Sequence, residues 1–502
     1  MVNRVPLRLV PPGKPLQAII SRGWNSMIIT RCVLVTVSLL LFPVVTSAAE
    51  GAEALTDPIP TKIAKGNIVV GVVGFLQLPR TQDVNSEGAH PAFARLQYLL
   101  PVRDGSGRLM INDTRGLLYV TDRAGAQLQV YLDLRQQAVG FSDATFANET
   151  GLAGFTFHPD FSKPGEPGFG KFYTAYSSPS DHGYANYLDD AAGNHESVIR
   201  EWTADDPSSN SFSGSSREIF RIGQFDQNHN IGTIKFNPYA APGSADYGIL
   251  YVSLGDGGGA HDPEENGQSL VTPMSSIMRI DPLGGGGLKQ YGIPADNPFI
   301  DDPAIASEIW VYGLRHTQQF SFDTDGRVFM ADIGQNQVEE INIGVSGGNY
   351  GWRVREGKFA TAFAFESARP GPVYPLPEND PQEFVYPVAQ YDHDEGNAVG
   401  SGFVYRGDAI PELRGKYVFA DMVRGRIFFI DAEGLSPGKP ALIQELRLQF
   451  DGVEREFHDV SNYPNRYSPR NRSDLRMGID SDGELYLLSK GDGRVRKLVP
   501  AS

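Results

Sequence analysis

One unit recurs along the chain: an apolar strand, a turn rich in Asp, Asn, Gly or Pro, an aromatic strand and another polar turn. It runs from Leu109-Met110-Ile111-Asn112-Asp113 to Leu118-Tyr119-Val120-Thr121-Asp122, and from Phe155-Thr156-Phe157 to Lys171-Phe172-Tyr173. It returns from Phe236 to Leu250-Tyr251-Val252, from Phe322 to Val328-Phe329-Met330, from Gly402-Phe403-Val404-Tyr405 to Lys416-Tyr417-Val418-Phe419, and from Ile479 to Leu485-Tyr486-Leu487. Most instances are followed by a further strand, such as Ser276-Ile277-Met278-Arg279-Ile280. Repetition of this kind predicts an all-β chain, a six-bladed β-propeller with four-stranded antiparallel blades. A β-sandwich is the alternative, and six similar units fit it less well. Long insertions at 177–197, 259–272 and 356–390 separate the units, and long loops on a rigid scaffold are where function gathers.

Composition sets bounds on partners and compartment. Of 502 residues, 40% are hydrophobic and 21% charged, and 56 Gly with 35 Pro suit a chain full of tight turns. A net charge of -16 argues against nucleic acid or an anionic membrane as partner, because both are held by Lys and Arg clusters. Arg31, the apolar run 33–45 and the small residues Ser47-Ala48-Ala49 read as a secretory signal cleaved near Ala48 or Ala49, with Met27 as a plausible true start. The run is too short for a stable membrane span. Residues 1–49 are therefore read as leader and signal peptide, 50–100 as an irregular lead-in, and 101–502 as the propeller. The destination is the periplasm or the exterior. Cys32 lies in the leader, so disulfides, thiolate metal sites and cysteine nucleophiles are excluded for the exported chain. Export also argues against a soluble nicotinamide cofactor.

Two strand pairs direct polar groups to one edge. His229 precedes the strand Thr233–Phe236 and Asp256 follows Ile249–Leu254; antiparallel pairing makes the two neighbours. Arg315 and His316 precede Phe320–Phe322, and Asp332-Ile333-Gly334-Gln335 follow the next strand, again at a single end. With Glu149 these supply acid, base and cation. A His held by a carboxylate is fixed in tautomer and made more basic, which suits a general base. Arg315 can stabilise developing negative charge, and backbone carbonyls at Gly334 and Gln335 can bind a hard cation such as Ca²⁺. Other polar and aromatic residues read as structural. His158 is a turn residue, Asp392-His393-Asp394 a solvated loop, Asp122, Asp421 and Asp482 turn formers, and Tyr119, Tyr173, Tyr251, Phe329 and Tyr486 core.

The phrases Gly151-Leu152-Ala153-Gly154-Phe155-Thr156-Phe157-His158-Pro159-Asp160-Phe161, Asn228-His229-Asn230, Leu254-Gly255-Asp256-Gly257-Gly258, Tyr312-Gly313-Leu314-Arg315-His316, Asp332-Ile333-Gly334-Gln335-Asn336 and Gly347-Gly348-Asn349-Tyr350-Gly351-Trp352 resemble the glucose/sorbosone dehydrogenase family, from about Leu109 to Leu498. The resemblance implies a six-bladed propeller that holds pyrroloquinoline quinone and Ca²⁺ and oxidises the C1 hydroxyl of an aldose to a lactone. In that scheme His229 takes the hydroxyl proton with Asp256 as its partner, and Arg315 acts beside them. Glu149 lies beside sugar and quinone. Asn228, Arg315, His316 and Gln318 contact the cofactor, and the carbonyls of Gly334 and Gln335 ligate Ca²⁺. His316 stands where family enzymes commonly have Asn. The family's quinone-binding lysine falls near Val423, with Arg424 adjacent, and Arg470, Arg472 and Arg476 lie in the region of its arginine pair. The sugar and the electron acceptor are not specified by these motifs. A non-catalytic interaction propeller is the alternative reading, and a Ca²⁺-dependent lactonase a third.

Overall fold

The computed structural model describes residues 53–81, 92–143, 149–180, 183–189, 195–286, 289–365, 368–380, 383–464 and 471–502. The leader expected at 1–49 and Arg470 lie outside the described residues. Among those described, the architecture is all-β and propeller-like, with short helical turns at a few connections.

Four sheets stand apart, each of four antiparallel strands in chain order. They begin at Leu96–Pro101, Leu152–Phe157, Ile231–Phe236 and Gln319–Phe322. The remaining long strands form one nine-stranded sheet. Within it, two further antiparallel runs begin at Val399–Val404 and Leu475–Ile479. The expectation of six separate blades is corrected here: four blades are separate. The cause is the 13-residue strand Lys65–Gln77. It pairs antiparallel with Arg494–Pro500 on one side and parallel with Gln444–Phe450 on the other, welding the last two runs together.

The six first strands touch one another in chain order, and the last, Leu475–Ile479, touches the first, Leu96–Pro101. The strands read as continuous apolar runs rather than alternating ones, because each sheet is packed on both faces. Thus every residue of Leu109–Asp113 and of Leu250–Leu254 is buried. Each interface between neighbouring sheets carries its own apolar cluster; Leu118, Val120, Phe172 and Trp202 fill one, and Tyr251, Trp310, Phe320 and Met330 another. The aromatic positions expected as core are core: Tyr119, Tyr173, Tyr251, Phe329 and Tyr486 are buried. At Asp323–Gly326 and Asp480–Gly483 the Asp carboxylates accept backbone N–H groups and each Gly takes the left-handed conformation the turn needs.

The lead-in expected to be irregular at 50–100 contains the ring-closing strand and all but the last residue of Leu96–Pro101. The first repeat instance, Leu109 to Asp122, is consequently the second and third strands of its sheet, where the other instances are first and second. The insertion expected at 177–197 is partly strand, since Lys171–Pro179 pairs with His195–Ala204 out to Pro179 opposite His195.

Val70 is fully buried on the closing strand and packs in the cluster beneath it. Val70→Asp places an unpaired carboxylate there. We expect a loss of about 3 kcal/mol or more in denaturant unfolding, against a near-neutral effect for Asp at Val73, which is 46% exposed on the same strand.

Candidate functional site

Both strand pairs form as read from the sequence. Ile231 lies opposite Leu254 and Gln319 opposite Ala331, so the residues flanking them meet at one edge. His229 Nδ1 lies 2.6 Å from Asp256 Oδ1. Asp256 is itself fixed: Oδ2 accepts from the Trp352 indole N–H at 2.9 Å and Oδ1 from the Gly258 N–H at 3.0 Å. Its backbone carbonyl accepts from the Asn266 amide in the 259–272 loop. With Nδ1–H directed at the carboxylate, His229 presents Nε2 as the acceptor. Burial pushes the His229 imidazolium down, Arg315 adds to this, and Asp256 opposes it; the net shift is downward, so the ring is neutral at neutral pH. His229 adopts a left-handed backbone with φ 54°, an uncommon conformation for a side chain of this size.

The two loops interlock. The His229 and His316 rings stack with centroids 5.0 Å apart. The His229 N–H donates to Glu149 Oε2 at 2.7 Å, and His316 Nε2 stands 3.3 Å from the same oxygen. Burial raises the Glu149 pKa, but His316 and then His229 outweigh it and hold the carboxyl well below its usual range. Asp332 accepts the backbone N–H groups of Arg315 and His316, both at 2.9 Å, and so sets both side chains at the rim. Arg315 donates to Gln335 Oε1 and to the carbonyls of Ile333 and Gly334, the last at 2.8 Å, and lies over the Trp352 ring. Glu356 Oε1 gathers the N–H groups of Gln335, Asn336, Gln337 and Val338 at 2.8 to 3.0 Å, fixing the turn that carries Gly334 and Gln335.

Glu149, His229, Asp256, Arg315, His316, Gly334 and Gln335 are therefore brought together. Asn228 joins them, with a buried Oδ1 that has no partner among the described residues and that a Cβ on Gly258 would meet at 2.3 Å. Gln318 is next along, its N–H bonded to the His316 carbonyl and its Oε1 buried with no partner among the described residues. Arg424 is directed elsewhere: its guanidinium bonds the carbonyls of His393 and Asp394 and the side chain of Asn397. Arg472 is paired with Asp474. Of the triplet at 392–394, Asp394 is exposed as expected, whereas Asp392 is buried and His393 Nε2 meets Glu339 at 2.8 Å. The solvated loop is thus corrected to a half-packed one. Its carboxylates form, with Asp57, a loose acidic group outside the His229 site.

Sequence reasoning missed three contributors. Trp352 and Glu356 act through positions fixed only in the fold, although Trp352 falls within the quoted phrases. The third is a buried cationic group at the same ends of the strands. Arg95 precedes the first strand of its sheet, and Lys490 follows the strand paired to Leu475. Lys490 faces Asp474 together with Arg472 and Arg476, and lies near Arg95, whose own carboxylate neighbours are Asp143 and Asp113. Burial, and then Arg476, pushes the Lys490 amine down to about 7. Arg95 keeps Nε and one terminal nitrogen buried without a hydrogen bond among the described residues. Such an excess of desolvated positive charge is the signature of a place for an anion.

Fold and site together define an all-β, propeller-like protein with a carboxylate-paired imidazole and a buried cationic group on one face of the strand ring. The chain belongs to the glucose/sorbosone dehydrogenase family, which it matches over residues 106–497. It is 30% identical over 437 residues to the HIPL1 protein of Arabidopsis thaliana, covering 78% of this chain and 60% of that one. To the Hedgehog-interacting protein of Mus musculus it is 26% identical over 322 residues, covering 63% and 40%. The chain thus spans less than two thirds of these relatives' lengths. Among solved structures it resembles the PQQ-bound aldose sugar dehydrogenase of Streptomyces coelicolor, with TM-score 0.51, 20% identity, and 82% and 96% of the two chains covered. At that identity the likeness is one of fold.

Gly255 lets the two histidine loops close: a Cβ there would lie 2.4 Å from the His229 carbonyl oxygen and 2.7 Å from His316 Nδ1. Gly255→Ala is expected to cost about 1 to 3 kcal/mol by forced displacement. The histidine side-chain resonances of His229 and His316 should shift together, measured by NMR, while the strands remain folded by circular dichroism.

Proposed function

We propose that the protein is an exported quinoprotein dehydrogenase that oxidises the C1 hydroxyl of an aldose sugar to a lactone. The observation that carries this reading is the His229–Asp256 pair, 2.6 Å apart and buried, set in the same rim as the buried cations Arg95 and Lys490, of which Arg95 keeps two nitrogens without a hydrogen bond among the described residues. Fold, family and the resemblance to a quinone-bound structure support it. The strand count fits a six-bladed propeller, the nine-stranded sheet being two blades joined by Lys65–Gln77. The signal expected at 1–49 would take it to the periplasm or beyond. No helix of the described residues is long and apolar enough to cross a membrane.

Pyrroloquinoline quinone, when bound, supplies the acceptor for the hydride released from the sugar. Arg95, Arg472, Arg476 and Lys490 are suited to its carboxylates, and Asn228, His316 and Gln318 have buried polar atoms free to bond its ring system. His229 Nε2 receives the hydroxyl proton, and Asp256 keeps the ring in the receiving tautomer and stabilises the imidazolium that results. Glu149 accepts a sugar hydroxyl while anchoring the His229 backbone. Arg315 faces the oxygen on which negative charge develops. Ca²⁺ is a different matter. The Gly334 carbonyl already accepts from Arg315 at 2.8 Å, so a divalent ion there would sit against a guanidinium. The donors as arranged do not fit it.

An interaction propeller is the second reading, favoured by the similarity to a Hedgehog-interacting protein. Reconstitution with the quinone, with and without Ca²⁺, followed by dye reduction against a panel of aldoses, separates the two. Quinone-dependent turnover is expected, and its absence for every aldose, despite bound quinone, would leave the interaction reading. His229→Ala should lose about 10²- to 10⁴-fold in kcat and retain quinone, read by its absorbance. Because the neutral imidazole is the active form, kcat should fall as pH drops through a midpoint below the ordinary imidazole value. Asp256→Asn removes the group that raises that pKa, so the midpoint moves lower still while kcat drops.

A further inference from the structure

The opposite ends of the six first strands meet as well. Leu100, Phe157, Phe236, Phe322, Phe403 and Ile479, each at or next to the end of its strand, line one cavity of about 430 Å³. That is ample for a small organic molecule. The ends that carry Arg95, Glu149, His229 and His316 are the other ends of the same strands, so the cavity lies on the far side of the ring. A hydrogen-bonded layer separates the two. The Tyr98 hydroxyl and the Thr233 hydroxyl both bond the Gln318 carbonyl, each at 3.0 Å.

The strand ends give the cavity apolar walls, interrupted by the buried cation Lys235 and by the polar side chains of Thr156, His158, Asn237 and Ser321. Lys235 is 8% exposed and donates to the Phe320 carbonyl at 2.7 Å. Three rings surround its ammonium, Phe403 at 5.1 Å, Tyr98 at 5.7 Å and Phe320 at 5.9 Å. No carboxylate pairs with it among the described residues. An ammonium has three donors, and one is satisfied. Ser321, whose N–H shares the peptide bond of that same Phe320 carbonyl, also lines the cavity. It is 3% exposed and its hydroxyl has no partner among the described residues. Further out stand Arg103, over the Tyr239 ring, and Lys163, which is paired with Asp160 at 3.0 Å.

We propose that this cavity is a second binding site, for a small apolar monocarboxylate whose carboxylate meets Lys235 and Ser321 and whose hydrocarbon fills the aromatic ring of strand ends. A lone buried cation in apolar walls is costly unless an anion joins it. Burial pushes the Lys235 amine down to about 7, so it gains from an anionic partner. A carboxylate head uses its spare donors, and the walls of Phe157, Phe236, Phe322 and Phe403 take an apolar body. The site shares no residue with the His229 cluster, so it stands whether or not sugar oxidation is found.

Isothermal titration of the purified protein with octanoate, phenylacetate and 1-octanol tests this. Saturable binding of either acid at least tenfold tighter than 1-octanol is expected; which acid binds more tightly tells an aliphatic ligand from an aromatic one. Lys235→Met should weaken the acid at least tenfold and leave 1-octanol unchanged. Ala240→Trp, at the half-buried mouth, should abolish both if the cavity is the site, and it keeps the test open should the Met variant misfold. Absence of saturable binding by both acids, equal affinity for octanol, or acid binding undiminished in a folded Lys235→Met variant would overturn the proposal.

Discussion

Ring closure is the constraint on which the remainder depends. A circle of sheets leaves two free edges unless the ends of the chain meet, and free edges invite pairing with other chains. Here Lys65–Gln77 lies between Arg494–Pro500 and Gln444–Phe450 and bonds both. Residues more than four hundred positions apart thereby become neighbours, and every inter-sheet core is sealed, including the one holding Val70, Phe429 and Leu485. The parallel bond to Gln444–Phe450 is what fuses the last sheets and makes the hydrogen-bonded count differ from the repeat count.

Closure also gives the ring two unlike ends. At one, loops preceding the first strands and following the second strands carry Arg95, Glu149, His229, Asp256, Arg315, His316, Asp474 and Lys490. Their charges lie close in a desolvated place, which is why so many are shifted: His229 and Lys490 downward, Glu149 and Asp474 downward against burial. At the other end Leu100, Phe157, Phe236, Phe322, Phe403 and Ile479 line a cavity that holds the buried cation Lys235. A polar layer at Tyr98, Thr233 and Gln318 keeps the two ends separate.

Similarity to both dehydrogenases and Hedgehog-interacting proteins shows that this scaffold is not tied to one task. The proposed catalytic role rests on the chemistry of the rim. The paired imidazole argues for catalysis, and so does the surplus of buried cations. Arg424 and the Gly334 carbonyl argue for differences in detail, because one is turned to the 393–397 loop and the other is held by Arg315.

The sequence by itself determined the all-β class, the repeated hairpins, and the meeting of His229 with Asp256 and of Arg315 and His316 with Asp332. These depend on local alternation, turn chemistry and antiparallel pairing of adjacent strands, all short-range. It did not reveal Lys65–Gln77 as a strand, because the partners of that strand lie hundreds of residues away, nor Leu96–Pro101, although the latter forms a hairpin with Leu109–Asp113 through the polar turn 103–107. Nor did it reveal Trp352, Glu356, Arg95 or Lys490, whose roles come from loops of different sheets packed together, nor that Arg424 turns away. Only the tertiary structure decided these, since which distant groups share one desolvated rim is set by closure of the ring rather than by spacing along the chain.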